Sequence, residues 1–181
     1  MRDMKSLCYG VMVSMAFGVA VAAADSHESV TVTVNAVDAN GIGASLGTIE
    51  FKEVPHGIEV KPNLHGLTPG EHGFHIHENP SCEPKEKDGK MTAAQAAGGH
   101  FDPRATGKHA GPHGGGHQGD LPKLEVAADG TATKAAHVHD LTLKDIRNRS
   151  VMIHAGGDNY SDSPAPLGGG GPRVGCGVIP Q

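Results

Sequence analysis

At 181 residues, with 37% hydrophobic residues, the chain is long enough for one domain with its own core. Aromatic residues make up only 3%, Trp is absent, and 27 Gly with 12 Pro demand many turns and long ordered loops, which favours an all-β domain of modest core volume. A formal charge of -5 excludes the basic surface that nucleic-acid binding requires.

In chain order, residues 1–24 read as a secretory signal. Arg2 and Lys5 supply the charged start, Leu7 to Val21 the apolar body and Ala22-Ala23-Ala24 the small-residue cleavage site. The mature domain, residues 25–181, then begins near Asp25, and losing Arg2, Asp3 and Lys5 removes a net +1, leaving about -6. The apolar body is short for a spanning helix and no other segment matches it, so no transmembrane anchor is expected. Of the three Cys, Cys8 goes with the signal. Cys82 and Cys176 remain, in an exported and therefore oxidising setting, and should pair.

Val30 to Val37 alternates Val with polar residues as a strand does. Asp38-Ala39-Asn40-Gly41 reads as a turn, and Leu46 to Val54 with Gly57 to Leu64 reads as a hairpin through Pro55-His56-Gly57. Leu67-Thr68-Pro69-Gly70 turns the chain into the first histidine strand, that of His75 and His77. Residues 78–122 form a long excursion, a length that usually marks function, with a helical turn expected only within Met91 to Ala97. Lys123 to Ala127 and Thr131 to His137 suggest a second hairpin around Ala128-Asp129-Gly130. A connection with a helical turn covers Leu141 to Arg149, Ser150 to His154 is a strand, Ala155 to Pro172 is a second long loop, and Arg173 to Ile179 closes the sheet. The expectation is an all-β, immunoglobulin-like Greek-key barrel or sandwich of about eight strands with two long functional loops.

Seven of the thirteen histidines fall between Gly70 and Asp120. Alternation in His75-Ile76-His77 puts Phe74 and Ile76 on one face and both imidazoles on the other, so a rigid strand can present two ligands to one ion. His100, His109, His117 and Asp120 lie in a Gly- and Pro-rich segment too irregular for a helix. Three imidazoles and a carboxylate make a closed tetrahedral shell suited to zinc. His113 competes with His117 for that shell. The turn His117-Gln118-Gly119-Asp120 favours His117, leaving His113 as an exposed loop residue. His137-Val138-His139 repeats the His-x-His spacing and is read as surface, as are His56 and His65.

Taken together, GEHGFHIHE, the loop GGHFDP…KH…HQGDLP, the segment MIHAGGDNYSD and the end GGGGPRVGCGVI resemble copper-zinc superoxide dismutase, most closely its bacterial secreted branch. The likeness covers most of the chain after residue 28. It implies dismutation of superoxide by a redox-cycling copper bridged to a structural zinc through His100, in the periplasm, protecting the cell envelope. By the same resemblance copper falls to His75, His77, His100 and His154, and zinc to His100, His109, His117 and Asp120. His100 and Arg173 would be catalytic, with Arg173 attracting the anion. Asp158 would tie a copper histidine to a zinc histidine, although a turn Asp in a Gly-rich loop is the plainer reading of its sequence. His72 matches a histidine that fastens loops to the barrel. Lys85, Lys87 and Lys90 would add positive field, diluted by Glu83, Glu86 and Asp88. The run Gly114 to Gly116 after His113 departs from the pattern and bears on the zinc loop. Both monomer and homodimer occur in that branch, and no motif chooses between them. A histidine-rich metal buffer would need only the imidazoles, leaving Asp158, Arg173 and the cysteine pair superfluous.

Overall fold

The computed structural model describes residues 28–181, so the signal expected at residues 1–24 lies outside the described residues. Eleven strands and one short α-helix run in the order β1 (Ser29–Asp38), β2 (Gly41–Val54), β3 (Gly57–Leu64), β4 (Gly70–His72), β5 (Phe74–His77), β6 (Lys85–Lys87), β7 (Lys90–Thr92), β8 (Leu124–Val126), β9 (Ala136–His139), α1 (Leu143–Ile146), β10 (Arg149–His154) and β11 (Arg173–Ile179). Seven of them form one curled antiparallel sheet in the order β5-β10-β11-β1-β2-β3-β9, while β4 pairs with β8 and β6 with β7. The nearly all-β architecture expected from composition is therefore present, as a half-barrel whose chain crosses from the β3 side to the opposite edge before returning.

Alternation sets the inner face. In β1 Val30, Val32 and Val34 are buried while Ser29, Thr31 and Thr33 are exposed, and the branched side chains suit the pleat. They meet Ile49 and Phe51 of β2, Ile58 and Val60 of β3, Phe74 and Ile76 of β5, and Val151 and Ile153 of β10 in the main core. Each such side chain contributes about 1.5–3 kcal/mol on burial, so a charge at Ile76, which is fully buried, would break the sheet at its most functional edge.

Strand β2 starts ahead of the expected Leu46, because the preceding turn is tight. The Asp38 Oδ1 accepts from Asn40 N at 2.6 Å and Gly41 N at 3.1 Å, which lets Ile42 pair at once with Val37. The helical turn expected after Leu141 is α1, closed by a capping box between Thr142 and Asp145.

Two expectations are corrected. The hairpin expected between Lys123–Ala127 and Thr131–His137 keeps only its turn, Ala127 N donating to Thr131 O at 2.8 Å. Beyond it the strands part: β8 pairs with β4 and β9 with β3, in register Glu59 to His137. Within the long excursion, Lys85–Thr92 forms a hairpin instead of irregular chain. Its Asp88-Gly89 turn has both residues at positive φ, 53° and 76°, the type I′ geometry that matches strand twist. The helical turn expected in Met91–Ala97 is a 3₁₀ turn at Gln95–Ala97.

A second, smaller cluster lies on the outer face of the sheet, where Ala94 and Ala97 pack on Met152, Val37 and the Cys82–Cys176 disulfide. The disulfide, expected from the cysteine count, joins residues 94 apart in sequence and ties the excursion to β11. Closing a loop of that length contributes about 4–5 kcal/mol in a chain-entropy picture. The strands β5 and β10 are thus covered on both faces, and this outer face carries the histidines. Among the described residues no helix is long and apolar enough to cross a membrane.

Candidate metal centre

Adjacent strands bring the first ligands together. β10 pairs with β5 in the register Ser150 to His77 and Met152 to His75, and Arg173 pairs with His154 across β10 and β11. With Phe74 and Ile76 turned into the core, His75 and His77 face the other way, as alternation requires. They are not exposed there: His75 is 0% and His77 1% accessible, because the two long loops close over them.

The loop following β5 returns along its free edge. The Ile76 carbonyl accepts from Phe101 N at 2.8 Å, and Ile76 N donates to the Gly119 carbonyl at 2.9 Å. His100 and Asp120 are thereby set beside His77 and His75. The result is one continuous group of six imidazoles and two carboxylates.

In the first part of it, His75, His77, His100 and His154 bring their donor atoms within 4.8 Å of one another. Each ring has one nitrogen held and one left over. His75 Nε2 lies 2.8 Å from Asp158 Oδ2, His77 Nδ1 3.0 Å from the Gly98 carbonyl, His100 Nδ1 2.9 Å from Asp120 Oδ1, and His154 Nδ1 3.0 Å from the Gly171 carbonyl. The remaining atoms, His75 Nδ1, His77 Nε2, His100 Nε2 and His154 Nε2, are buried without a hydrogen-bond partner. Orphaned buried polar atoms are costly and rare in folded proteins. Four converging on one point fit a cation with nitrogen preference, and a tetragonal field of four imidazoles suits cupric copper.

In the second part, Asp120 gathers three imidazoles: His100 Nδ1 at 2.9 Å, His109 Nδ1 at 3.0 Å and His117 Nδ1 at 3.3 Å. Tetrahedral zinc with bonds of about 2.0–2.2 Å sets neighbouring donors about 3.3–3.6 Å apart, a spacing these contacts approach. By distance alone, His75 groups with His100, His109 and Asp120 in place of His117. That grouping reflects the stacking of His75 on His100 at 3.9 Å. Since His75 Nε2 is engaged by Asp158 and Nδ1 points into the first part, His117 is the chemically available third imidazole. His113 joins neither part and is exposed.

Asp158 spans the two parts, its Oδ2 on His75 and its Oδ1 on His109 Nε2 at 2.7 Å. The second loop packs its backbone against this carboxylate at Gly168, where φ is 71° and a Cβ would come within 2.0 Å of Oδ1. Only glycine fits that approach.

The electrostatics separate the groups. Burial lowers His75 to about 3 and His154 to about 4, and drives His77 and His100 down as well, so all four stand neutral with lone pairs available. Burial would also lower His109, but the hydrogen bonds with Asp120 and Asp158 outweigh it and raise that ring to about 9. Burial works against the Asp120 and Asp158 charges, yet their imidazole partners hold both carboxyls below the usual range.

Arg173 extends from β11 under the first loop. Its Nη1 donates to the Ala94 carbonyl and its Nη2 to the Gly98 carbonyl, each at 2.6 Å. Gly98 is the carbonyl that also meets His77, so one backbone oxygen positions a histidine and the arginine together. The positive charge of Arg173 is felt at both His77 and His154. His72 lies below, its ring nitrogens 2.6 Å from the His154 carbonyl and 2.7 Å from the Thr68 carbonyl, joining β4 to the end of β10. Lys85, Lys87 and Lys90 are exposed on the β6–β7 hairpin.

Sequence reasoning missed Asp162, whose carboxylate accepts from His109 N at 2.8 Å and from Leu167 N at 3.1 Å, fastening one loop to the other. The only available signal was its place four residues after Asp158. It also missed Gly98, which acts through its carbonyl and carries no side-chain signature.

Residues 45–179 match the family model described as copper/zinc superoxide dismutase (SODC). The chain is 54% identical over 153 residues to a copper-zinc superoxide dismutase of Brucella abortus, covering 84% of this chain and 88% of the relative. It is 52% identical over 160 residues to that of Escherichia coli K12, covering 88% and 92%. Among solved structures, the Brucella abortus copper/zinc enzyme superposes with a TM-score of 0.82, and the monomeric copper, zinc enzyme of Salmonella enterica with 0.76. Each is 54% identical and covers 84% of this chain and 99% of its own.

Proposed function

From the premise that the chain belongs to the copper/zinc superoxide dismutase family, we propose that its two clusters divide the metals. His75, His77, His100 and His154 hold copper, and His100, His109, His117 and Asp120 hold zinc. The enzyme dismutates superoxide to oxygen and hydrogen peroxide, with copper and zinc as its cofactors. The observation that carries the division is the set of four buried, partnerless nitrogens on the first group. Held by His75, His77, His100 and His154, copper would supply one-electron redox chemistry, and zinc at the second group would supply charge without redox chemistry.

The remaining work belongs to the chain. Arg173, fixed by two carbonyls beside His77, offers a positive fork to an anionic substrate that must approach a protein of net negative charge. His100, with Nδ1 toward Asp120 and Nε2 toward the copper group, would serve both sites, and Nε2, when released from the metal, would take a proton from solvent and pass it to the peroxide product. Asp158 holds His75 and His109 in the tautomers that leave their Nδ1 atoms free to ligate. The loops bury His75, His77, His100 and His154, which keeps those four imidazoles neutral. The sequence of residues 1–24 supports export through a signal peptide, and with bacterial relatives this gives a periplasmic enzyme that protects the cell envelope.

Metal analysis of the fully reconstituted mature protein should find one copper and one zinc per chain. In His154→Ala, zinc should remain while copper weakens and superoxide consumption is lost. Unchanged copper content and activity in that variant would overturn the division of ligands.

A further inference from the structure

We propose that His113, His137 and His139 form a third metal site, on the surface, that takes a divalent transition-metal ion such as zinc(II) through imidazole nitrogen. None of the three belongs to the buried group, and the activity makes no use of them.

The site arises from the edge of the sheet. β9 is the last strand in the order and has β3 as its only strand partner there. Val138, 2% accessible, points into the core, so His137 and His139 share the solvent face, and both are exposed. Their ring centroids are 4.2 Å apart. The third ring comes from the far side of the zinc loop: His113 lies 6.1 Å from His139. The three are not drawn together as the buried ligands are, whose donor atoms lie within 4.8 Å of one another. All three side chains are exposed, so His137 and His139 supply the pair and His113 turns in to close on the ion.

The arrangement is held by more than the accident of a loop. Gln118 Nε2 donates to the Asp140 carbonyl at 2.9 Å, clamping the His117–Asp120 turn against the end of β9. Between the clamped elements is a cleft of about 300 Å³ lined by His113, His139, Gln118, Asp140, His117 and Asp120. His113 and His139 therefore line the same cleft as His117 and Asp120 of the zinc group. Glu59, paired directly across from His137, puts a carboxylate on the same face, which it shares with Lys61 Nζ at 2.9 Å.

Imidazole prefers the later first-row divalent ions and zinc to calcium or magnesium, so the ligand class follows from the donor set. The rings are exposed, so a bound ion keeps water in its open positions and no buried nitrogen is left without a partner when the site is empty. That accounts for three histidines being tolerated here without a structural metal.

The test is calorimetric titration of zinc(II) into enzyme already saturated with copper and zinc, with the visible copper spectrum confirming that the buried sites are intact. One further equivalent of zinc should bind. His137→Ala, His139→Ala and His113→Gln should each weaken that binding by at least about tenfold, since losing a mere supporting residue already costs 10–100-fold. The copper spectrum and superoxide consumption of all three variants should match wild type. No uptake beyond the two resident metals would overturn the site, as would wild-type affinity in His139→Ala. Wild-type affinity in His113→Gln would overturn the three-imidazole arrangement.

Discussion

Replacing Asp158 by Asn separates a bridge between two metal groups from a turn residue. The carboxylate receives His75 Nε2 at 2.8 Å, His109 Nε2 at 2.7 Å and Tyr160 N at 2.7 Å, all in a buried site. Hydrogen bonds to a charged group contribute roughly 1.5–3 kcal/mol each, and removing one partner of a buried pair costs about 3–5 kcal/mol. Asp158→Ala should therefore destabilise the metal-free protein by about that much. Asn keeps the size but offers one carbonyl oxygen where two rings need an acceptor. The ring that faces its NH₂ must give up its Nε2 proton, and the proton then sits on Nδ1, the atom needed for the metal. Zinc or copper should weaken about 10- to 100-fold, the range for a residue that orients a ligand. Competition with a chromogenic chelator would measure zinc, and the visible spectrum would report copper. If Asp158 only shaped a turn, Asn would serve nearly as well as Asp. Wild-type zinc affinity and copper spectrum in Asp158→Asn would refute the bridge.

Arg173→Ala should retain both metals while kcat/KM falls about tenfold or more, less than the loss of a donor to a fully formed oxyanion because the metal charge still attracts superoxide. Rising salt should slow wild type more steeply than the variant, and equal salt slopes would remove Arg173 from steering. Metal-free protein should lose stability as pH falls from about 6.5, the ordinary histidine value. His75 and His154, lowered to about 3 and about 4 in the fold, take up protons only on unfolding over this range, so each costs about 2 kcal/mol at pH 5. His109, raised to about 9, contributes stability that is fully present below 6.5 and lost as pH rises through 9, so it does not offset the acid loss. A melting temperature of the metal-free protein that is flat between pH 6.5 and 5 would contradict the burial of neutral imidazoles.

How far the fold and the site could be read from sequence follows from which interactions are local. The Val-Thr alternation of β1 and the Asp38-Ala39-Asn40-Gly41 turn are set by neighbours in the chain, and both were legible. The Ala128-Asp129-Gly130 turn is legible too, yet the strands around it do not pair with each other. A turn decides that the chain reverses, whereas the partners of β8 and β9 are chosen by Leu124, Val126 and Val138 finding the core beside β4 and β3. The Asp88-Gly89 dipeptide is likewise a local hairpin signal, set by two residues at positive φ.

At the metal centre, alternation correctly put His75 and His77 on one face but said nothing of what covers them. An exposed pair of imidazoles on a strand would be a weak, solvated chelate. The same pair under a lid becomes neutral, dry and geometrically fixed. The lid is assembled from contacts distant in sequence: Cys82 to Cys176, Arg173 to the carbonyls of Ala94 and Gly98, and Asp162 to His109. None of these leaves a local pattern, since a backbone carbonyl looks alike at every residue. His137 and His139 supply the control within one molecule. They have the same His-x-His spacing on an edge strand and an equally apolar residue between them, but no loop closes over them, and both remain at the surface. The spacing supplies two ligands in either case. Whether they become part of a buried cluster depends on the long loop that follows β5, which β9 lacks.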